Sequence, residues 1–240
     1  MTSPFQHQAA ERDAAPQFVL PLVVRIERDA PPARTDALET AARAVLTLLS
    51  DERATADDGE WTQAVRDWQD ARIRKVVRRA RGSEWRRATE LPGITLTGTA
   101  ETSPAEVRVF PPVPLDGWPK ELAKLQVSGT ELADPEPPAP LPSDHQGPVL
   151  WMNPEVTMSA GKAMAQAGHG AQLAWWELSD ADRAAWRAAA FPLTVRTPSP
   201  DAWSQLVASP LPVVRDAGFT EIAPGSATVI ADHPSLRARF

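Results

Sequence analysis

The chain has 240 residues, 42 % of them hydrophobic, and carries 31 acidic against 25 basic side chains for a net charge of −6, enough apolar material for one large core or two small ones. That balance excludes a polyanion binder working through overall charge, so any nucleic-acid contact has to come from a local patch. Cysteine is absent, which excludes a disulfide framework, a thiolate nucleophile and a cysteine zinc site and fits a cytoplasmic protein.

Residues 1–16 are polar and rich in Pro and Ala, and are expected to be a disordered tail. The longest apolar run, Phe18 to Val24, contains Pro21 and leads straight into charged residues. It is too short to span a bilayer, lacks the flanks of an export signal, and reads as a buried strand. From Arg34 the spacing of Leu38, Ala41, Ala42, Val45 and Leu49 predicts a helix, with Thr35 or Asp36 suited to cap it. A further helix is predicted from near Trp61 to Gly82. Ile73, Val76, Val77 and Ala80 form its apolar side, and Arg72, Arg74, Lys75, Arg78, Arg79 and Arg81 spread over the rest. "GITLTGTA" and "AEVRVFPP" alternate as a strand pair, and "PKELAKLQVSG" reads as a short helix opening at Pro119 and stopped by Gly129.

Between Ala133 and Pro148 lie six prolines in sixteen residues, a composition that behaves as an extended spacer. It is expected to divide an N-terminal α/β unit, 17–132, from a C-terminal unit, 149–240, each with its own core. The second unit reads strand, helix, helix, strand, helix, strand, strand. The fold class is thus α/β: two small units, the C-terminal one a mixed four-stranded sheet flanked by helices. The first unit begins and ends in a similar way, as an internal duplication would, although no residue motif repeats.

Two segments of the second unit carry chemistry. In "MSAGKAMAQAGHGAQLAWW", Ser159 is placed to cap a helix whose first turn holds Lys162, one of only four lysines in the chain. Gln166 and His169 follow at spacings of four and three, on the same face. Gly168 and Gly170 together cost about 2 kcal/mol of helix propensity, so a close approach to the sheet is expected there. The plain alternatives are a solvated lysine, a histidine satisfied by backbone, and Trp175 and Trp176 as core and rim residues. The second segment, "DAGFTEIAPGSATVIADHP", is longer than a hairpin needs. Pro224 and Gly225 form a tight turn, and Asp216, Thr220, Ser226 and Thr228 line a polar wall; loop residues bonding their own backbone are the alternative.

Together these residues resemble the archaeal and eukaryotic type of peptidyl-tRNA hydrolase. The helix pattern stands here as Gly161, Lys162, Gln166 and His169, and the late strand-loop pattern as Asp216, Ala217, Gly218, Thr220, Ile222, Pro224, Gly225, Ser226 and Thr228. The likeness covers about Val149 to Pro234. It implies hydrolysis of the ester of peptidyl-tRNA, with Lys162, Asp216 and Thr220 tied to activity and Gln166, His169, Ser226 and Thr228 accessory. It also implies a tRNA partner, no membrane, no metal and no cofactor; the four histidines are scattered without ligand spacing.

The sequence departs from the family at Ala160, where a second lysine is usual, at Phe219, commonly Arg, and at Glu221, usually Gln. Each change removes positive charge or adds negative charge, and the run Arg72–Arg81 is expected to compensate by holding tRNA phosphates. In the expected reaction Asp216 orients or deprotonates water, Lys162 stabilises negative charge, and Thr220 fixes geometry. A covalent route with Ser226 as nucleophile and His169 as base is the competitor, but "APGSAT" lacks the G-x-S-x-G elbow. The other function class is a noncatalytic RNA-binding or ribosome-associated module. The molecule is expected either as a monomer with pseudo-dimeric halves or as a homodimer.

Overall fold

The computed structural model describes residues 16–142, 144–216 and 222–239. The expected tail, apart from its last residue, and Thr220 lie outside the described residues. Strand β1 spans Phe18–Arg25 and helix α1 spans Arg34–Leu49. Short helices α2, Glu52–Thr55, and α3, Thr62–Asp70, lead to β2, Lys75–Ala80. Helix α4, Gly82–Thr89, then precedes β3, Ile94–Thr97, β4, Glu106–Val109, β5, Val113–Pro114, and the single turn α5, Lys120–Ala123. The second unit runs β6, Val149–Met152; α6, Ala160–Glu177; α7, Asp180–Ala188; β7, Thr194–Arg196; α8, Pro200–Ala208; β8, Val213–Arg215; β9, Ala227–Asp232; and α9, Pro234–Arg237. No described helix is long and apolar enough to cross a membrane.

The two sheets have the same plan. In the first the order is β2-β1-β4-β3, with β5 added beside β1; in the second it is β7-β6-β9-β8. In each, the first strand pairs parallel with the second and antiparallel with the fourth, and the third pairs antiparallel with the fourth. The long helix after the first strand, α1 or α6, therefore occupies the same place in both units.

Those two helices pack on each other. Adding a Cβ at Gly168 of α6 would bring it 3.0 Å from Val45 Cγ2 of α1. Instead of two cores there is one continuous cluster, in which Leu22, Val45 and Leu46 join Met164, Ala171 and Ile230; a small satellite cluster forms around Trp85 and Leu122. The sequence misleads here because the faces of α1 and α6 look sufficient for separate sheets, while the Ala of α1 and the Ala and Gly of α6 let the backbones approach and merge the layers.

Polar contacts lock the junction. Arg34 Nη2 donates to Met158 O at 3.1 Å, Gly161 N to Thr130 Oγ1 at 3.0 Å, and Val195 N to Glu39 Oε1 at 2.9 Å. The proline-rich segment carries no helix or strand among its described residues. It is tied down near its start, where Asp134 accepts from the backbone and hydroxyl of Thr35 at 2.8 and 2.7 Å.

Three local expectations are corrected. The residue preceding α1 is Ala33, which makes no side-chain cap; Thr35 and Asp36 lie within the first turn. The helix starting near Pro119 extends only to Ala123. Most consequentially, the basic stretch is not a helix. Arg72 and Arg74 precede β2, Lys75, Arg78 and Arg79 lie on it, and Arg81 follows it. Val76 and Val77 are β-branched, and pairing with β1 in parallel register overrides the helical spacing of the apolar residues. Lys75 is buried. Arg78 donates to Leu125 O at 2.5 Å with its guanidinium 4.4 Å from the Trp118 ring, and Arg79 Nε donates to Ser128 O at 3.0 Å.

Candidate active site

Helix α6 starts as the sequence predicts. Ser159 accepts from Lys162 N at 3.3 Å, capping the first turn, while Thr130 of the N-terminal unit satisfies Gly161 N. Lys162, the third residue of the helix, reaches across to the end of β8, and its ammonium forms an ion pair with Asp216 Oδ2. Asp216 is held by its backbone: its N–H donates to Ser226 O at 2.9 Å and its carbonyl accepts from Gly225 N at 2.7 Å. Ala223 to Ser226 form a turn in which Gly225 has φ +83°, the position after proline that requires glycine. A register shift between Val214 and Arg215 turns the chain just before Asp216, as bulges beside functional sites commonly do.

Gln166 completes the set. One turn along α6 from Lys162, its Nε2 donates to the same Asp216 Oδ2 at 2.8 Å, and its Oε1 accepts from the Thr228 hydroxyl at 2.6 Å. The hydroxyl of Thr228 also lies 3.3 Å from Val214 O. Side-chain exposure is 15 % for Lys162 and 5 % for Asp216, so the pair sits at the edge of solvent with its charge interaction little screened. One carboxylate oxygen thus receives both an ammonium and an amide N–H. Such a site can hold a water or an ester carbonyl beside a fixed positive charge.

The other expected residues fall into place unequally. His169 is half-buried on the next turn, with Nδ1 3.1 Å from Lys75 Nζ. Burial, followed by the ammonium groups of Lys75 and Lys162, holds its imidazole well below the ordinary histidine range. Ser226 contributes backbone groups to the loop, and the partner of the His169 ring is Lys75 rather than the Ser226 hydroxyl. Trp175 packs edge-on against Phe191 at 5.7 Å, while Trp176 is 38 % exposed. Ala160, where the family pattern has lysine, is completely buried; Phe219 and Glu221 lie outside the described residues. Among the described residues no group of three or more His, Asp or Glu side chains is arranged to hold a metal ion.

The equivalent place in the N-terminal unit holds different chemistry, which the sequence alone did not disclose. Asp36 is the third residue of α1, as Lys162 is of α6, and Gly98 follows β3 as Asp216 follows β8. The Asp36 carboxylate accepts from Thr99 N at 2.8 Å and Ala105 N at 2.7 Å. A Cβ at Gly98 would fall 1.9 Å from Asp36 Oδ2. The Asp36 carboxylate thus fills the space a side chain at position 98 would need.

Residues 148–239, the C-terminal part of the chain, match the model of the family described as "Peptidyl-tRNA hydrolase PTH2". No curated protein and no solved structure matches the chain.

Proposed function

We propose that the protein hydrolyses the ester bond of peptidyl-tRNA, releasing free tRNA and peptide in the cytoplasm. The observation that carries this reading is the meeting of Lys162, Asp216 and Gln166 within the stretch that matches the family model. Asp216 orients the attacking water and accepts its proton, the Lys162 ammonium stabilises negative charge developing on the carbonyl oxygen, and Gln166, steadied by Thr228, fixes the carboxylate. Thr220 is given a part in activity by the resemblance of the loop sequence to the family pattern. The reaction breaks the ester C–O bond after water adds to the carbonyl, and the ribose oxygen leaves with a proton.

The tRNA body is assigned to the basic side of the N-terminal unit. There Arg86 and Arg87 of α4 are exposed, and Arg72, Arg74, Arg78, Arg79 and Arg81 are partly exposed. Lys75 is withdrawn from this surface because it is buried. With α1 and α6 already packed on each other within one chain, the reading takes the molecule as a monomer with pseudo-dimeric halves.

The test is turnover of an N-blocked aminoacyl-tRNA, followed as release of free tRNA. The hydrolase reading expects multiple turnovers by the wild type and a Ser226→Ala rate within about threefold of it, since removing a hydroxyl outside the reacting set costs little. Saturable binding of the RNA without release would instead establish the noncatalytic RNA-binding module.

A further inference from the structure

Lys75 is a cation with an unusual setting. It stands at the start of β2 in the N-terminal unit, 8 % exposed, yet its contacts cross to α6 of the C-terminal unit. Nζ lies 2.5 Å from Gln172 Oε1, 3.1 Å from His169 Nδ1 and 3.4 Å from Ile73 O, and 4.8 Å from the centre of the Trp68 ring. Three acceptors match the three N–H bonds of an ammonium, and the aromatic face favours a cation. Burial lowers Lys75 well below the ordinary lysine range. A polar group buried this deeply needs its hydrogen bonds met, as they are here.

The amide of Gln172 is turned to suit an N–H donor at Lys75 Nζ. Gln172 is fully buried and turns its oxygen to Lys75, leaving Nε2 without a protein acceptor. The opposite orientation would set N–H groups against an ammonium. The same constraint acts on His169. Where Nζ donates to Nδ1, that nitrogen is unprotonated and the neutral ring carries its proton on Nε2. His169 lies on the face of α6 that bears Lys162 and Gln166, and it is half-buried, with part of its surface in reach of solvent.

We propose that Lys75 is a positioning residue which the N-terminal unit supplies to the C-terminal site, fixing the His169 imidazole in the Nε2–H tautomer as a constant donor beside Lys162 and Gln166. The ring then offers an N–H to an ester or ribose oxygen of the substrate and does not drift between donor and acceptor. This rests on the hydrolase reading for its consequence, but the tautomer itself does not. It gives the N-terminal unit a part in the chemistry beyond holding RNA.

The experiment uses full-length protein labelled with ¹⁵N in histidine, with His169 assigned by comparison with His169→Gln. Long-range ¹H–¹⁵N spectra of the wild type are expected to show His169 with an unprotonated Nδ1 and a protonated Nε2. Lys75→Met keeps the side-chain length without the donors. It is expected to let His169 populate both tautomers and to lower kcat on the order of tenfold, the scale of losing a partner that orients a histidine, with KM within about twofold.

A wild-type His169 protonated on Nδ1, or already a mixture, overturns the proposal without recourse to any variant. A Lys75→Met protein with unchanged His169 signals, or with changed signals and unchanged kcat, overturns it as well. Wild-type protein that binds RNA without turnover would defeat the hydrolase reading alone, since the ¹⁵N spectra judge the hold of Lys75 on His169 separately.

Discussion

At the third position of α1, Asp36 turns its carboxylate onto the N–H groups of Thr99 and Ala105, whereas at the third position of α6, Lys162 turns its ammonium onto Asp216. The first arrangement is structural. A buried carboxylate there satisfies two backbone donors of the β3–β4 connection that are otherwise hard to match. Asp36→Ala strands both donors and is expected to lower stability by about 3 kcal/mol, read as a reduced urea midpoint with an unchanged slope; a midpoint equal to wild type would show that the connection holds itself. Lys162 and Asp216 were legible in the sequence because each sits in a dense pattern of small and polar residues that a plain helix or hairpin does not require. Lys75 was not, because a lysine inside a run of arginines reads as solvated charge until the burial of β2 is known.

Among the elements, α6 shows most clearly how packing decides what sequence propensity leaves open. Its two internal glycines oppose helix formation, yet the helix is continuous from Ala160 to Glu177 because those positions meet neighbours at close range. A Cβ at Gly170 would lie 2.8 Å from Val229 Cγ1 and 3.3 Å from Leu150 Cδ2. Gly170→Ala gains about 1 kcal/mol of helix propensity, but overpacking against a stiff β-branched valine costs about 1–3 kcal/mol. A net loss is therefore expected, measured as a lower urea midpoint, and a raised midpoint would contradict the close approach. The strands of the C-terminal sheet were legible from their bounded apolar runs and turn residues. β2 was not, since Ile73, Val76, Val77 and Ala80 satisfy the helical period, and only the parallel partner β1 makes the strand the better solution.

Across the whole molecule, two sheets of one plan share one core through α1 and α6, but the two equivalent places hold different side chains. We read this as an internal duplication in which one copy kept the lysine–aspartate pair and the other replaced it with a closed backbone clamp. The shared plan is only dimly visible in the order of elements, because no motif repeats and the apolar spacing around β2 mimics a helix. The merged core was invisible, because it depends on which faces meet. The retained site draws on both copies: Thr130 caps α6, Glu39 holds the edge of β7, and Lys75 reaches His169. We propose that the site of the C-terminal unit performs hydrolysis with a lysine and an aspartate. This is tested most directly by the kcat/KM of Lys162→Ala on an N-blocked aminoacyl-tRNA, alongside its melting temperature. Loss of the fixed positive charge is expected to lower kcat/KM by roughly 10²–10³-fold with the fold intact; a rate within threefold of wild type would contradict it.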